Sequence, residues 1–402
     1  MENCRVMERR HFFGTVASGL LAGRVADTSS STGALAQTAS PVRTPLNLMA
    51  PRPDGIDAIW GVTRLCTGRV EWEAADGRRG AASGSPYGFV PQGEAVLRVR
   101  LEGLAPGTSY RLRAVTRAAG DGEEVASAWK TFRTLDPAAD ATTFVVWNDT
   151  HIHDETITRL HAATPPADFL LWNGDTCNDW KSSDLLVPTL LHPGQCDITE
   201  GRPLMLTFGN HDVRGPRAFE MPGVVATPSD RPFYAFRSGP LAAICLHTGE
   251  DKPDTHPSFA GRVAFDALRR EQADWLADVI REPAFRDAPY RVVFCHIPLR
   301  WLDESPQDYA ATGFDRHSGR SRDAWHRSLV DWRAQIIVSG HTHRHAWLPA
   351  TSEFPYGQLV GGGPRLEAAT WMAGSADARQ LTIRVNDLQG RVLTTVSLPP
   401  LR

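Results

Sequence analysis

The chain has 402 residues, 42% of them hydrophobic and 22% charged, with 43 basic against 46 acidic side chains and a formal charge of −3. That composition excludes a disordered or collagenous chain, and the length exceeds one ordinary domain. The near balance of charge argues against a nucleic-acid groove, which needs a basic excess.

Residues 1–36 read as an address. Arg9-Arg10-His-Phe-Phe13 pairs two arginines with aromatics, a weakly apolar run reaches Gly23, and Ala34-Leu-Ala36 offers a small-residue cleavage site. This is the pattern of a twin-arginine export signal. It makes the twin-arginine export machinery a partner and predicts a periplasmic or secreted mature protein. The apolar run is too short and too rich in Gly and Ser to stay in a bilayer, and no other stretch is long enough, so no transmembrane segment is expected. Cleavage removes Cys4 and leaves Cys66, Cys177, Cys196, Cys245 and Cys295, an odd set. Cys177 and Cys196 share one irregular segment, and in an exported protein a disulfide between them is one expectation; buried free thiols are the other.

Residues 37–45 form a Ser/Thr/Pro-rich linker. Over 46–136 short alternating runs, Gly68-Arg-Val-Glu-Trp-Glu73 and Ala95-Val-Leu-Arg-Val-Arg100, predict strands with one buried face. A Pro106-Gly107 turn leads into a strand with Tyr110 near its start, the way a β-sandwich corner is pinned. This segment resembles a fibronectin type III-like domain, which implies packing and spacing more than ligand binding.

Beyond Asp136-Pro-Ala-Ala-Asp-Ala141 strands alternate with helical segments, so 140–402 is expected to be an α/β catalytic domain. Phe265, Leu268, Trp275, Leu276, Val279 and Ile280 recur at helical spacing, and a second helix is predicted from Arg322 to Trp332. Gly361-Gly-Gly-Pro364 precedes two final strands, Gln380 to Asn386 and Arg391 to Leu398.

Five islands of potential ligands punctuate this region. They are Asp149-Thr-His151, Gly174-Asp175, Gly209-Asn-His-Asp212, His296, and Gly340-His-Thr-His343. Each except the third follows an apolar run of strand type, Thr143-Phe-Val-Val-Trp147, Phe169-Leu-Leu-Trp172, Arg291-Val-Val-Phe294 and Gln335-Ile-Ile-Val338, and the third follows Leu204-Met-Leu-Thr-Phe208. Parallel strands buried on both faces read this way, and ligands collect at their carboxyl ends. Asp, Asn and His without Cys suit borderline-to-hard divalent ions, not a structural zinc.

Taken together, the islands resemble the calcineurin-like metallophosphoesterase superfamily over roughly residues 140 to 365. The resemblance implies a four-layer α/β/β/α metallophosphoesterase sandwich preceded by the all-β domain. It also implies two divalent metal ions (Mn, Fe or Zn) and a small-molecule phosphate ester substrate. Asp149, His151 and His343 would hold one metal, Asn210, His296 and His341 the other, with Asp175 bridging. A hydroxide between the metals would attack phosphate mono- or diesters. His211 would face the leaving oxygen as general acid or as charge stabiliser, and Asp212 would orient its ring. His153, Arg214 and Arg344 are candidate substrate contacts, Asn178 a loop residue, and Trp172, Trp180 and Trp301 candidate walls. Residues 179–203 and 213–232 are expected to complete that wall.

The sandwich-plus-catalytic arrangement also resembles the purple acid phosphatases. Here Asn178 stands where that group has a tyrosine ligand, and His151 where it has no histidine, so a colourless metal pair is expected. A rival reading is an exported metal-containing binding protein that recognises a glycan or envelope partner through its β-sandwich. His211, unnecessary for holding metal, favours the enzyme. A binuclear amidase or lactonase is a further rival, disfavoured because the chain lacks the His-x-His-x-Asp-His arrangement of metallo-β-lactamases, and no Gly-x-Ser-x-Gly elbow supports a serine hydrolase.

Overall fold

The structure, a computed structural model, describes residues 40–84, 86–120, 122–302 and 314–402. The arginine pair and the rest of the export segment lie outside them.

Two stacked sheets form the body. The first has nine strands, in the order Val392–Leu398, Leu381–Asp387, Thr370–Ala376, Thr142–Trp147, Phe169–Asn173, Leu204–Thr207, Asn47–Met49, Ile56–Gly61 and Val96–Leu101. The second runs Tyr234–Ser238, Leu241–Leu246, Tyr290–Cys295, Ile336–Ser339, Gly357–Val360, Ala346–Leu348. Alternate residues of each inner strand face opposite ways. Phe144, Val146, Phe169, Leu171 and Met205 enter the core between the sheets with Phe294, Ile336 and Val338. Their neighbours Val145, Trp147, Leu170, Trp172, Leu204 and Leu206 face the outer layer of helices Asp154–Ala163 and Leu186–Leu191. On the far side Ile244, Val293 and Ile337 pack under helices Phe265–Val279 and Phe314–Asp331, through Leu276, Val279, Trp325 and Leu329. Both faces of these strands are therefore apolar, which is why they read as unbroken runs. This is the four-layer α/β/β/α sandwich.

The all-β region lies where the alternating runs placed it, with Cys66–Ala74 and Ser109–Ala118 paired along their length. Tyr110 accepts a hydrogen bond from Ala105 N at 2.9 Å and so pins the corner. A finding beyond the sequence is that one of its two sheets is continuous with the catalytic one. Met49 pairs in parallel with Leu204, and Ala50 N donates to Leu204 O at 2.7 Å. Lys130 reinforces the junction by donating to Leu46 O at 2.8 Å, to Thr199 Oγ1 at 2.6 Å and to Asp197. Arg98 and Arg100 share the buried Asp57 and reach Asp230 of a catalytic-region loop at 2.7 Å.

The Cys177–Cys196 disulfide is absent: Cys66, Cys177, Cys196, Cys245 and Cys295 are all free thiols. The Cys177 thiol is instead buried and points at His211 O, 3.5 Å away, while Cys196 lies against Gly194 O at 3.4 Å. Among the described residues no helix is long and apolar enough to cross a membrane.

Candidate metal centre

All five islands occupy the loops that leave the carboxyl ends of parallel strands. Thr142–Trp147, Phe169–Asn173 and Leu204–Thr207 deliver Asp149 and His151, Asp175, and Asn210 to Asp212 from the first sheet. Tyr290–Cys295 and Ile336–Ser339 deliver His296, then His341 and His343, from the second. The loops turn back sharply to aim their side chains inward. Asp149, His151, Asp175, His341 and His343 all have φ between 48° and 71°. A non-glycine residue there costs of the order of 1 kcal/mol, and five such residues in one cluster mark a functional site.

Close glycines let the loops meet. A Cβ on Gly209 would stand 2.2 Å from Asp175 Oδ1, and one on Gly340 would stand 2.4 Å from Asp149 Oδ2. Asn173 ties the sheets together beneath the site. Its Nδ2 donates to Asn148 Oδ1 at 2.9 Å and to Cys295 O and Val338 O at 3.3 Å.

The result is two groups of ligand atoms sharing one carboxylate. Asp149, His151, Asp175 and His343 bring donor atoms within 4.8 Å of one another, and so do Asp175, His296 and His341. Asn210 Oδ1 lies 2.9 Å from His341 Nδ1. The seven residues expected to hold metal thus form one cluster.

The ring orientations suit cations. His151 Nδ1–H donates to Cys177 O, and His296 Nδ1–H to Asn173 O, each at 2.9 Å. Both rings therefore aim Nε2 at the centre, the arrangement that outer hydrogen bonds impose on metal-binding histidines. His296 Nε2 is buried without a hydrogen bond, 3.2 Å from Asp175 Oδ2 and 3.7 Å from Asp149 Oδ1. His151 Nε2 faces His343 Nε2 at 3.2 Å. Nitrogens and carboxylate oxygens this close are held together by positive charge between them, a proton on His296 or a cation in its place. The donor set therefore fits divalent cations.

Titration tells the same story. Burial pushes Asp149 up to about 8, and it holds His151 and His341 down at about 4 and 3, neutral at pH 7 as ligation requires. Burial alone would depress His296, but Asp175 and Asp149 raise it to about 10. Burial likewise opposes ionisation of Asp175, yet His296 foremost and His211 and His151 after it hold that carboxyl well below the usual range. The cluster clings to a proton that a cation can replace.

Beside the cluster stands His211, its ring edge-on to His151 with centroids 4.9 Å apart. His211 Nδ1–H donates to Asn178 O, and Arg214 Nη1 donates to His211 Nε2 at 3.0 Å. Arg214 is in turn held by Glu250 and, at 2.8 Å, by Asp251.

Several expected contacts are corrected. Asp212 does not orient the His211 ring. Its carboxylate accepts from Thr176 N at 2.9 Å, Thr176 Oγ1 at 2.6 Å and Gly209 N at 2.8 Å, stapling the second island's loop to the third. The ring is steered instead by Asn178 O and Arg214. Trp172 and Trp180 are buried in the core and donate to Thr150 Oγ1 and Asp212 O, so neither walls the site. Trp301 does reach it, edge-on to His341 at 6.0 Å. His153 and Arg344 are exposed at the rim. Residues 213–232 line the adjacent cleft, whereas 179–203 lends it Asp179 and Lys181 and then turns into the core as helix Leu186–Leu191.

Sequence reasoning missed Asn173, Glu250 and Asp251. Asn173 was detectable as a polar residue ending a buried strand. The acidic pair carries no motif and is recognisable only once Arg214 is seen against it.

Residues 142–345 match the family model described as calcineurin-like phosphoesterase. The fold is similar to that of a purple acid phosphatase from yellow lupin (Lupinus luteus) seeds. That likeness has a TM-score of 0.66 at 15% identity, over 88% of this chain and 74% of that one. It is also similar to PhoD, with a TM-score of 0.58 at 11% identity, over 89% and 93% of the two chains. Among curated protein sequences no relative matches.

Proposed function

The chain belongs to the calcineurin-like phosphoesterase family, and from that premise we propose that it is an exported phosphoric ester hydrolase working with a pair of divalent cations. Asp149, His151 and His343 would hold one cation and Asn210, His296 and His341 the other, with Asp175 between them. The observation that carries this reading is the sharing of Asp175 by both ligand groups around a buried, unsatisfied His296 Nε2. When bound, such a pair supplies Lewis acidity to the phosphoryl oxygens and a nucleophile at neutral pH.

The protein's own groups do the rest. Carboxylates are few and neutral imidazoles many in the cluster, so a bound cation pair would keep its positive charge for an anionic ester. Arg214, fixed by Glu250 and Asp251, presents its guanidinium beside His211, where a phosphoryl oxygen can take the hydrogen bond that His211 now accepts. That exchange frees His211 Nε2, which takes a proton from solvent and passes it to the leaving oxygen while Nδ1–H stays on Asn178 O. Asp212 keeps the loop carrying Asn210 and His211 at fixed distance from Asp175.

His211→Ala tests this division of labour. Metal content should stay at the wild-type level while turnover falls by about 10²–10⁴-fold, the usual contribution of a positioned acid. Full turnover in that variant would remove His211 from the mechanism. Export rests on Arg9-Arg10; replacing both by Lys should retain the protein in the cytoplasm, and unchanged delivery to the periplasm would refute it.

A further inference from the structure

A cleft of about 1810 Å³ opens beside the metal-ligand cluster, with His211 and Arg214 in its lining. Its opposite wall is built from the all-β region by Tyr87, Phe89 and Val90, joined by Phe219 of the catalytic region. These four side chains are 96%, 64%, 46% and 73% exposed. Among the described residues the large, exposed apolar side chains are Leu65, Tyr87, Phe89, Val90, Ile152, Leu185, Phe219 and Val392, so half of them face this one cleft. Scattered singly they would need no explanation; gathered on one concave wall, they describe a binding surface. Tyr87 in addition has a φ of 63°, a conformation that a bulky residue adopts only at a cost.

Asp230, which also lines the cleft, is held by Arg98 and Arg100 of strand Val96–Leu101 at 2.7 Å, so the two regions that form the cleft are tied together there. The cleft's volume exceeds the roughly 300–1,000 Å³ of an ordinary small-ligand pocket. A phosphate ester of a small alcohol would occupy only the His211 end and leave the aromatic wall in water.

We propose that this cleft is the leaving-group subsite, and that the substrate is an amphiphilic phosphate ester whose alcohol carries a long or flat apolar body. The inference rests on the phosphoesterase reading and deepens it. The anionic end meets the metal-ligand cluster, His211 and Arg214; the apolar alcohol lies along Phe89 and Phe219. A lipid-like alcohol and a soluble polycyclic aromatic alcohol share this chemistry, and the β region becomes part of the substrate site.

The test uses full-length mature protein loaded with Mn²⁺ and 1-anilinonaphthalene-8-sulfonate, a flat apolar anion, as fluorescent occupant. Ethyl phosphate, 1-naphthyl phosphate and decyl phosphate below its micelle concentration compete for the cleft. Each buried methylene is worth about 4-fold, so decyl phosphate should displace the dye at about 100-fold lower concentration than ethyl phosphate, even with partial burial. Phe89→Ser combined with Phe219→Ser should weaken dye binding at least about tenfold and cut kcat/KM for the preferred apolar ester equally, with ethyl phosphate turnover unchanged. Preference for decyl over naphthyl phosphate assigns a lipid-like alcohol, and the reverse an aromatic one; either supports the subsite. Equal displacement by ethyl, naphthyl and decyl phosphate, or wild-type dye binding in the double variant, overturns it. Chain-length-dependent displacement without phosphate release from any ester sinks the hydrolase reading and leaves the apolar cleft standing.

Discussion

Gly209→Ala is the smallest change that probes how the centre is held. A Cβ there would lie 2.2 Å from Asp175 Oδ1 and 2.3 Å from Asp175 N, so a side-chain rotation cannot relieve the overlap. Ordinary contact needs about 1 Å more, and both partners are tethered. Gly209 N donates to Asp212 Oδ2 at 2.8 Å, and Asp175 Oδ1 accepts from His211 N at 2.8 Å. Overpacking costs about 1–3 kcal/mol and a lost buried hydrogen bond about 1 kcal/mol, so a loss of about 2–4 kcal/mol is expected. A displacement of about 1 Å at a reacting centre costs about 100-fold in rate. Differential scanning calorimetry of the chelated protein would read the first quantity. Metal analysis by mass spectrometry with kcat/KM would read the second. A variant with wild-type melting temperature, full metal content and a rate within about threefold of wild type would refute the idea that Gly209 sets the Asp175 position.

Other consequences are as direct. Arg214→Met removes the guanidinium from Glu250 and Asp251, 0% and 4% exposed, leaving them Lys252 and, for Glu250, the Asp251 N–H, and should destabilise by about 3 kcal/mol; an unchanged denaturant midpoint would contradict that. Tyr110→Phe removes the bond from Ala105 N and should cost about 1 kcal/mol in the same assay, with no effect on activity. Burial holds His247 down at about 3, below its unfolded value near 6.5, so the unfolded chain takes the proton first. The stability that His247 confers is thus complete above pH 6.5 and drains away as pH falls towards 3, by up to about 5 kcal/mol. His247→Gln should flatten the acid limb of a stability profile, and an identical limb would exclude this source. Chelation should lower the melting temperature, because a ligand at about 1,000 times its Kd contributes about 4 kcal/mol; equal melting with and without chelator would mean no cation stabilises the fold.

Much of the site was legible because its residues follow strands that bury both faces. Val145 and Val146 face different cores, as do Leu170 and Leu171, so the runs stand out and the polar residues after them are conspicuous. Tyr110 was legible for a similar reason, since the Pro-Gly turn before it is local. Features that depend on distant partners were not. Met49 pairs with Leu204 across 155 residues, and nothing in Asn47–Met49 announces that neighbour. Strand Thr370–Ala376, which the sequence reading did not predict, lies between Thr142–Trp147 and Leu381–Asp387; Gly374 is there because a Cβ would strike the Phe144 ring at 2.0 Å. The misjudged partner of Asp212 has the same origin. Sequence adjacency suggested His211, but the backbone turns the carboxylate towards Thr176 and Gly209.

The measurement closest to the central claim is metal stoichiometry taken together with hydrolysis, on wild type and Asp175→Asn. A phosphomonoester and a phosphodiester with the same chromogenic leaving group would serve as substrates. Two divalent ions per wild-type chain, activity on at least one ester, and loss of both metal and activity in Asp175→Asn are predicted. A single ion per wild-type chain, or an Asp175→Asn protein as fast as wild type, would contradict a metal pair bridged by Asp175.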